Sequence, residues 1–280
     1  ISACLVGSEM CIRDSGMQWQ TFVEDNAVSL CIHMDEYIDG LKEKSLKIKG
    51  ESDRPLDAEE LAQYRSLLAK ARWPVNRVAP ELAYGVSALA QLNTNKVGEV
   101  TVNHAKEVDK LVQRLKMLKS SGGARLNLRK LDLERLVCLT YFDASFAQEE
   151  GMKSQCGMLS LLTDQDVVNR QVLGDIVEYE SSTCRRVVRS TMASESAAFS
   201  NSLVRQLYLR LLVETLLYGQ LELQDKDWRT ELRIPGILVT DAKSLYVNPQ
   251  RDGSLPAEQQ SLLDVLVAKD LIEQKCISIR

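Results

Sequence analysis

Three acidic residues, Asp143, Glu195 and Asp241, stand where the hydropathy of the chain changes abruptly, 52 and 46 positions apart. The apolar run 136–142, LVCLTYF, ends in Asp143, and Glu195 lies in the opening turns of a long apolar helix. Ile237, Leu238 and Val239 form a strand that ends in Thr240 and Asp241. Carboxylates delivered by strand ends and a helix start can converge on one edge of one sheet. Convergence is costly, because like charges raise one another's pKa, and a divalent cation removes that cost. Two cations held this way are a known device for in-line phosphodiester hydrolysis. Taken singly, each acid has a plainer role as a turn, cap or surface residue, so the chemistry depends on the three acting together.

The elements that must position them run, from about residue 135, as strand, strand, strand, helix, strand, helix and a last strand fragment. The first strand is expected to end at Asp143, the second to cover 155–163 and the third 172–179. A helix follows over 192–218, a strand over 237–239 and a helix over 256–274. The 192–218 helix carries Leu203, Val204, Leu207, Leu211, Leu212 and Leu216. A helix apolar on most sides is expected inside a core, here across the sheet. Strands followed by alternating helix and strand predict a mixed sheet of the α+β or α/β kind.

At these residues the chain resembles the RNase H domain of copia-type retrotransposon polyproteins, preceded by the tail of their reverse transcriptase. The family's D-A-S, S-T-x-x-x-E-x-x-A and T-D-x-K-S-L motifs stand here as Asp143-Ala144-Ser145, Ser190-Thr191 through Glu195 to Ala198, and Thr240-Asp241-Ala242-Lys243-Ser244-Leu245. Ser154-Gln155-Cys156-Gly157 matches its S-Q-x-G. The resemblance implies an RNase H-like mixed sheet with flanking helices, and metal-dependent hydrolysis of the RNA strand of an RNA:DNA hybrid. Asp143 would bridge two Mg²⁺ ions, with Mn²⁺ as the alternative, while Glu195 and Asp241 would each hold one. Ser154, Gln155, Arg185, Arg186 and Arg189 would face the hybrid backbone.

The chain departs from the family in two places. Ser196 and Ala197 replace bulkier residues after the glutamate, and the sequence stops at Arg280 within the expected last strand, before a fourth carboxylate. Asp264 matches a family acid before that strand but is not assigned to the metal site. A catalytically inactive remnant with weak nucleic-acid or partner binding is therefore the competing reading. An unrelated α/β enzyme is disfavoured, because the sequence has no Gly-rich phosphate loop, nucleophile elbow or Cys-x-x-Cys pair.

Upstream, residues 16–130 read as the reverse-transcriptase segment, mostly helical, and 135–280 as the RNase H-like domain. Residues 1–15 lack periodicity and are set aside as a non-native or disordered tail. A possible strand covers 27–32, with a helical patch around Tyr37, Ile38 and Leu41. Asp57 before Glu59-Glu60 suits a helix start, and Trp73-Pro74 is expected to end that helix. A second helix starts at Pro80-Glu81, and a third covers 102–119. Tyr64-Arg65-Ser66-Leu67-Leu68-Ala69, and more loosely Arg77 with Pro80-Glu81-Leu82, match family motifs. Eight Lys or Arg lie between Lys106 and Lys130, which suits phosphate contact or a solvated face. The polymerase's own metal motif is absent, so polymerase activity is not expected.

The net charge of −4 excludes a globally basic nucleic-acid binder. Seven cysteines without a close pair suggest reduced thiols, and two histidines, His33 and His104, leave little for imidazole chemistry. With no signal peptide and no long apolar stretch, a soluble protein of the cytoplasm or nucleus is expected. Its partners would be the hybrid and the upstream reverse-transcriptase domain, not a membrane.

Overall fold

The computed structural model describes the chain apart from residues 1–2, 7–8, 15, 25–26, 42–45, 47, 49, 93, 95–97, 150–152, 168–170, 185, 187, 220–227, 244, 246–258 and 280. The chain divides into two compact units, Ile1–Lys130 and Leu131–Arg280. No described helix is long and apolar enough to cross a membrane.

The first unit holds an antiparallel sheet in the order β1 (Ala3–Val6), β2 (Glu9–Asp14), β3 (Met17–Glu24), β4 (Ala27–His33) and β5 (Arg125–Leu128). The first two strands lie in the stretch set aside on sequence. Among the described residues, four α-helices accompany the sheet: α1 (Asp35–Gly40), α2 (Ala58–Val78), α3 (Ala83–Ala90) and α4 (Val102–Ser120). Helix α2 starts as its sequence dictates. Asp57 accepts from the Glu60 N–H at 2.8 Å while the Glu60 carboxylate accepts from the Asp57 N–H at 3.1 Å, a reciprocal cap that satisfies two orphan donors. At α4, the ring of His104 accepts from the Thr101 N–H at 3.1 Å.

Helix α2 does not end at Trp73-Pro74; it continues to Val78 with Pro74 inside. Proline deprives the carbonyl four residues earlier of its helical donor. That carbonyl, on Lys70, accepts instead from the Tyr37 hydroxyl at 3.3 Å. Val75 and Val78 are fully buried in the core of the unit, so tertiary packing holds the turn that local sequence disfavours. After α4 the chain turns through Gly122, at φ +77°, and returns as β5 alongside β4.

The second unit is a mixed sheet in the order β10 (Ser278–Ile279), β9 (Gly236–Val239), β6 (Val137–Glu149), β7 (Lys153–Thr163) and β8 (Asp175–Thr183). Strands β6, β7 and β8 are antiparallel, β9 runs parallel to β6, and β10 runs parallel to β9. Parallel neighbours need a crossover. Helices α5 (Thr191–Tyr218) and α6 (Gln259–Glu273) lie in the two crossovers. The α+β class expected from sequence is observed.

Phe142, Ala144 and Cys156 of the sheet pack with Ala198, Phe199, Leu203 and Leu207 of α5. The Phe142 and Phe199 rings meet edge-on, 5.8 Å between centroids. The second half of α5 departs from expectation. Leu212 and Leu216 are 57% and 76% exposed, whereas Gln206, Arg210 and Glu214 are buried. The Gln206 amide donates to Ile237 O at 2.9 Å, and Arg210 donates to Ile234 O at 2.7 Å and Cys276 O at 2.8 Å. Glu214 accepts from the Ile234 N–H at 2.8 Å. Backbone groups at the edges of β9 and β10 need polar partners when buried, and that need sets which side of α5 faces inward.

Candidate metal centre

Strand β6 does not end at Asp143, as the sequence suggested, but continues to Glu149 against β7. What ends is its other partnership, because pairing with β9 stops at Tyr141 opposite Val239. Asp143 therefore stands just beyond the carboxyl end of β9, exposed, between the buried Phe142 and Ala144. Strand alternation places it on the opposite face from these two. Asp241 follows β9 after one residue, Thr240, and is also exposed. Thr240 accepts from the Ala242 N–H at 3.0 Å and tightens that turn.

Glu195 approaches from α5. The Ser190 hydroxyl accepts from the Ala193 N–H at 3.1 Å, an N-cap that fixes the helix start and so the face on which Glu195 emerges. Glu195 is 7% exposed. One ligand oxygen from each of Asp143, Glu195 and Asp241 lies within 4.8 Å of the others. The three residues singled out on sequence thus form one cluster just beyond the carboxyl end of β9, beside the middle of the adjacent parallel strand β6.

The electrostatics are those of an uncompensated cluster. Burial first, then the charges of Asp143 and Asp241, push the Glu195 carboxyl up to about 7, while the Ala144 N–H pulls the other way. The same N–H donates to Asp143 Oδ1 at 2.7 Å. Glu195 Oε2 is buried without a hydrogen-bond partner. Opposite ligands of an octahedral Mg²⁺ stand about 4 Å apart, so a cluster of this span, built only from hard carboxylate oxygens and including an orphaned buried one, fits a divalent cation.

The remaining candidates are dispersed. Ser154 and Gln155 are buried in the sheet; the Ser154 hydroxyl accepts from the Ala147 N–H at 3.1 Å, and the Gln155 amide donates to Ser181 at 2.8 Å. Their polar groups serve the fold. Arg186 is exposed and pairs with Asp264 at 2.9 Å, which leaves Asp264 outside the carboxylate cluster. Arg189 is exposed, and Arg185 lies outside the described residues. Sequence reasoning did not single out Ser190 as the cap or Gln206, Arg210 and Glu214 as a polar ladder, although their spacing of four was a readable sign of one helix face.

Three antiparallel strands, then two helix crossovers that add one parallel strand beside the first and another beyond it, make the second unit an RNase H-like α+β fold. Among solved structures, a foamy viral protease-reverse transcriptase in complex with double-stranded DNA is similar over 96% of this chain and 37% of its own, at 13% identity and a TM-score of 0.49. The foamy viral protease-reverse transcriptase in complex with an RNA/DNA hybrid is similar over 96% of this chain and 28% of its own, at 10% identity and a TM-score of 0.42. RNase H1 from the halophilic archaeon Halobacterium salinarum NRC-1 is similar over 51% of this chain and 83% of its own, at 15% identity and a TM-score of 0.29. No family model and no curated protein matches the chain.

Proposed function

We propose that the second unit hydrolyses the RNA strand of an RNA:DNA hybrid, and that the chain is part of a copia-type retrotransposon polyprotein in which a reverse-transcriptase domain precedes it. The observation that carries this reading is the Asp143–Glu195–Asp241 cluster beyond the carboxyl end of β9 and beside β6, on the motifs that carry the family resemblance. Asp143, Glu195 and Asp241 would hold Mg²⁺. When bound, divalent ions generate a hydroxide-like nucleophile near neutral pH and neutralise charge developing on a phosphodiester.

The chain's own residues do the positioning. The Ala144 N–H holds the Asp143 carboxylate in place. The capped start of α5 presents Glu195 from a buried position, so its carboxylate is poorly hydrated and poised to take a cation. Asp143 and Asp241, both exposed, leave the site open to a polymeric substrate arriving at the sheet edge.

The test is cleavage of an end-labelled RNA:DNA hybrid by the purified chain with Mg²⁺, beside Asp143→Asn and an EDTA control. Cleavage confined to the RNA strand, lost with Asp143→Asn and with EDTA, is the expected result. Intact hybrid after prolonged incubation of folded protein with Mg²⁺ or Mn²⁺ would leave the inactive-remnant reading in its place.

A further inference from the structure

Two thiols meet under α5. Cys156 of β7 is buried and Cys184, just past β8, is half-buried, and both belong to the apolar cluster that α5 covers. The strand ladder explains their meeting. Cys156 stands opposite Ser182, and the Cys184 N–H donates to Ser154 O at 2.8 Å. Cys184 is therefore the diagonal neighbour of Cys156 on one face of the sheet. The two thiols are close enough to perturb one another electrostatically. Both also line a cavity of about 390 Å³ with Ser200, Asn201 and Arg205, which gives a small solute a route to the sulfurs.

We propose that Cys156 and Cys184 form a redox site which a hydroperoxide converts to an intramolecular disulfide. The Cys184 sulfur takes one oxygen from the hydroperoxide, whose O–O bond breaks to leave an alcohol or water, and becomes a sulfenic acid. The Cys156 sulfur then attacks that sulfur, the S–O bond breaks, and the oxygen leaves with the Cys156 proton as water. Two thiols lose two electrons together, and one peroxide gains them.

The division of roles follows from environment. Burial pushes the Cys156 thiol up to about 12, with Cys184 and then Glu195 adding to the effect, so Cys156 is a poor first nucleophile toward peroxide. Cys184 is the more accessible, with its Sγ 3.6 Å from Arg186 O. The bond would tie the start of the 185–190 connection, which leads into the Glu195 helix, to β7. There Cys156 pairs with Ala144, the residue whose N–H holds Asp143. This inference does not depend on the hydrolytic reading.

Peptide mapping tests it directly. The folded full chain is treated with hydrogen peroxide, quenched in acid, alkylated and digested with trypsin without reductant. Cleavage after Lys153, Arg170 and Arg185 puts the two cysteines on separate peptides, 154–170 and 171–185. The expected product is these peptides joined, lighter than their sum by two hydrogens, released by reductant and carried by monomer on a non-reducing gel. Cys184→Ser should abolish the joined species and leave Cys156 alkylatable. Recovery of both cysteines as thiols, or of Cys184 as sulfinic or sulfonic acid with Cys156 free, would overturn the proposal. So would a link found only between chains.

Discussion

Replacing Glu195 by glutamine should make the metal-free protein more stable at pH 8 and leave it little changed at pH 5. In the folded chain burial and the charges of Asp143 and Asp241 hold the Glu195 carboxyl at about 7, against an ordinary value of 4.5. A carboxyl whose pKa is raised by folding lends its stability below the unfolded pKa and loses it as pH rises through the folded one. The window is therefore pH 4.5 to 7. Converting the difference gives about 3 kcal/mol as an upper figure, and about 2 kcal/mol once relaxation around the partly solvated cluster is allowed for. The Glu195→Gln variant has no charge to gain at this position, so wild type should decline relative to it by that amount between pH 5 and pH 8. Urea unfolding in EDTA, followed through Trp228 with Trp19 and Trp73 replaced by Phe in both proteins, reads the second unit. With a slope of about 2 kcal/mol per molar urea, the midpoints should separate by about 1 M at pH 8. Mg²⁺ at pH 8 should stabilise wild type more than the variant. Parallel pH profiles for the two proteins, with or without Mg²⁺, would refute the repulsive cluster.

Gly236→Ala should destabilise the second unit by about 1–3 kcal/mol, because an added Cβ would lie 2.6 Å from Gln206 Oε1 and 2.7 Å from Arg210 Nη1. Both side chains are buried and held by backbone carbonyls, so the unfolding midpoint should drop; an unchanged midpoint would show that the ladder yields. Phe199→Ala, which empties the ring packed on Phe142, should cost about 3–5 kcal/mol in the same unit and reduce its amide protection in hydrogen exchange. Asp57→Ala removes the cap of α2 and should cost the first unit about 1 kcal/mol, read as a small downward shift of its own urea midpoint. Glu60→Gln should cost less, since an amide oxygen can still accept from the Asp57 N–H.

Much of the fold was legible because its signals are local. The acidic first turn after Asp57, the proline at 80 and the apolar run of β9 each act over a few residues, and the elements formed accordingly. The three site acids were legible too, as carboxylates at abrupt changes of hydropathy. Other features were decided by groups far away in sequence. Pro74 stays inside α2 because Tyr37 serves the stranded carbonyl of Lys70. Ser154 and Gln155 read as surface motif residues, yet Ala147 and Ser181 draw them inside the sheet.

The sequence by itself determined the order of strands and helices in the second unit, the start of the Glu195 helix and the identity of the three carboxylates. Only the tertiary structure decided that β6 runs on past Asp143 while β9 stops beside Tyr141, which opens the edge where the acids meet. It also decided which side of α5 is buried. Burying a leucine gains about 25 cal/mol per Å² wherever apolar surface is available. A buried N–H or carbonyl demands one partner at one distance, and the partners on Gln206, Arg210 and Glu214 turned the helix to meet that demand.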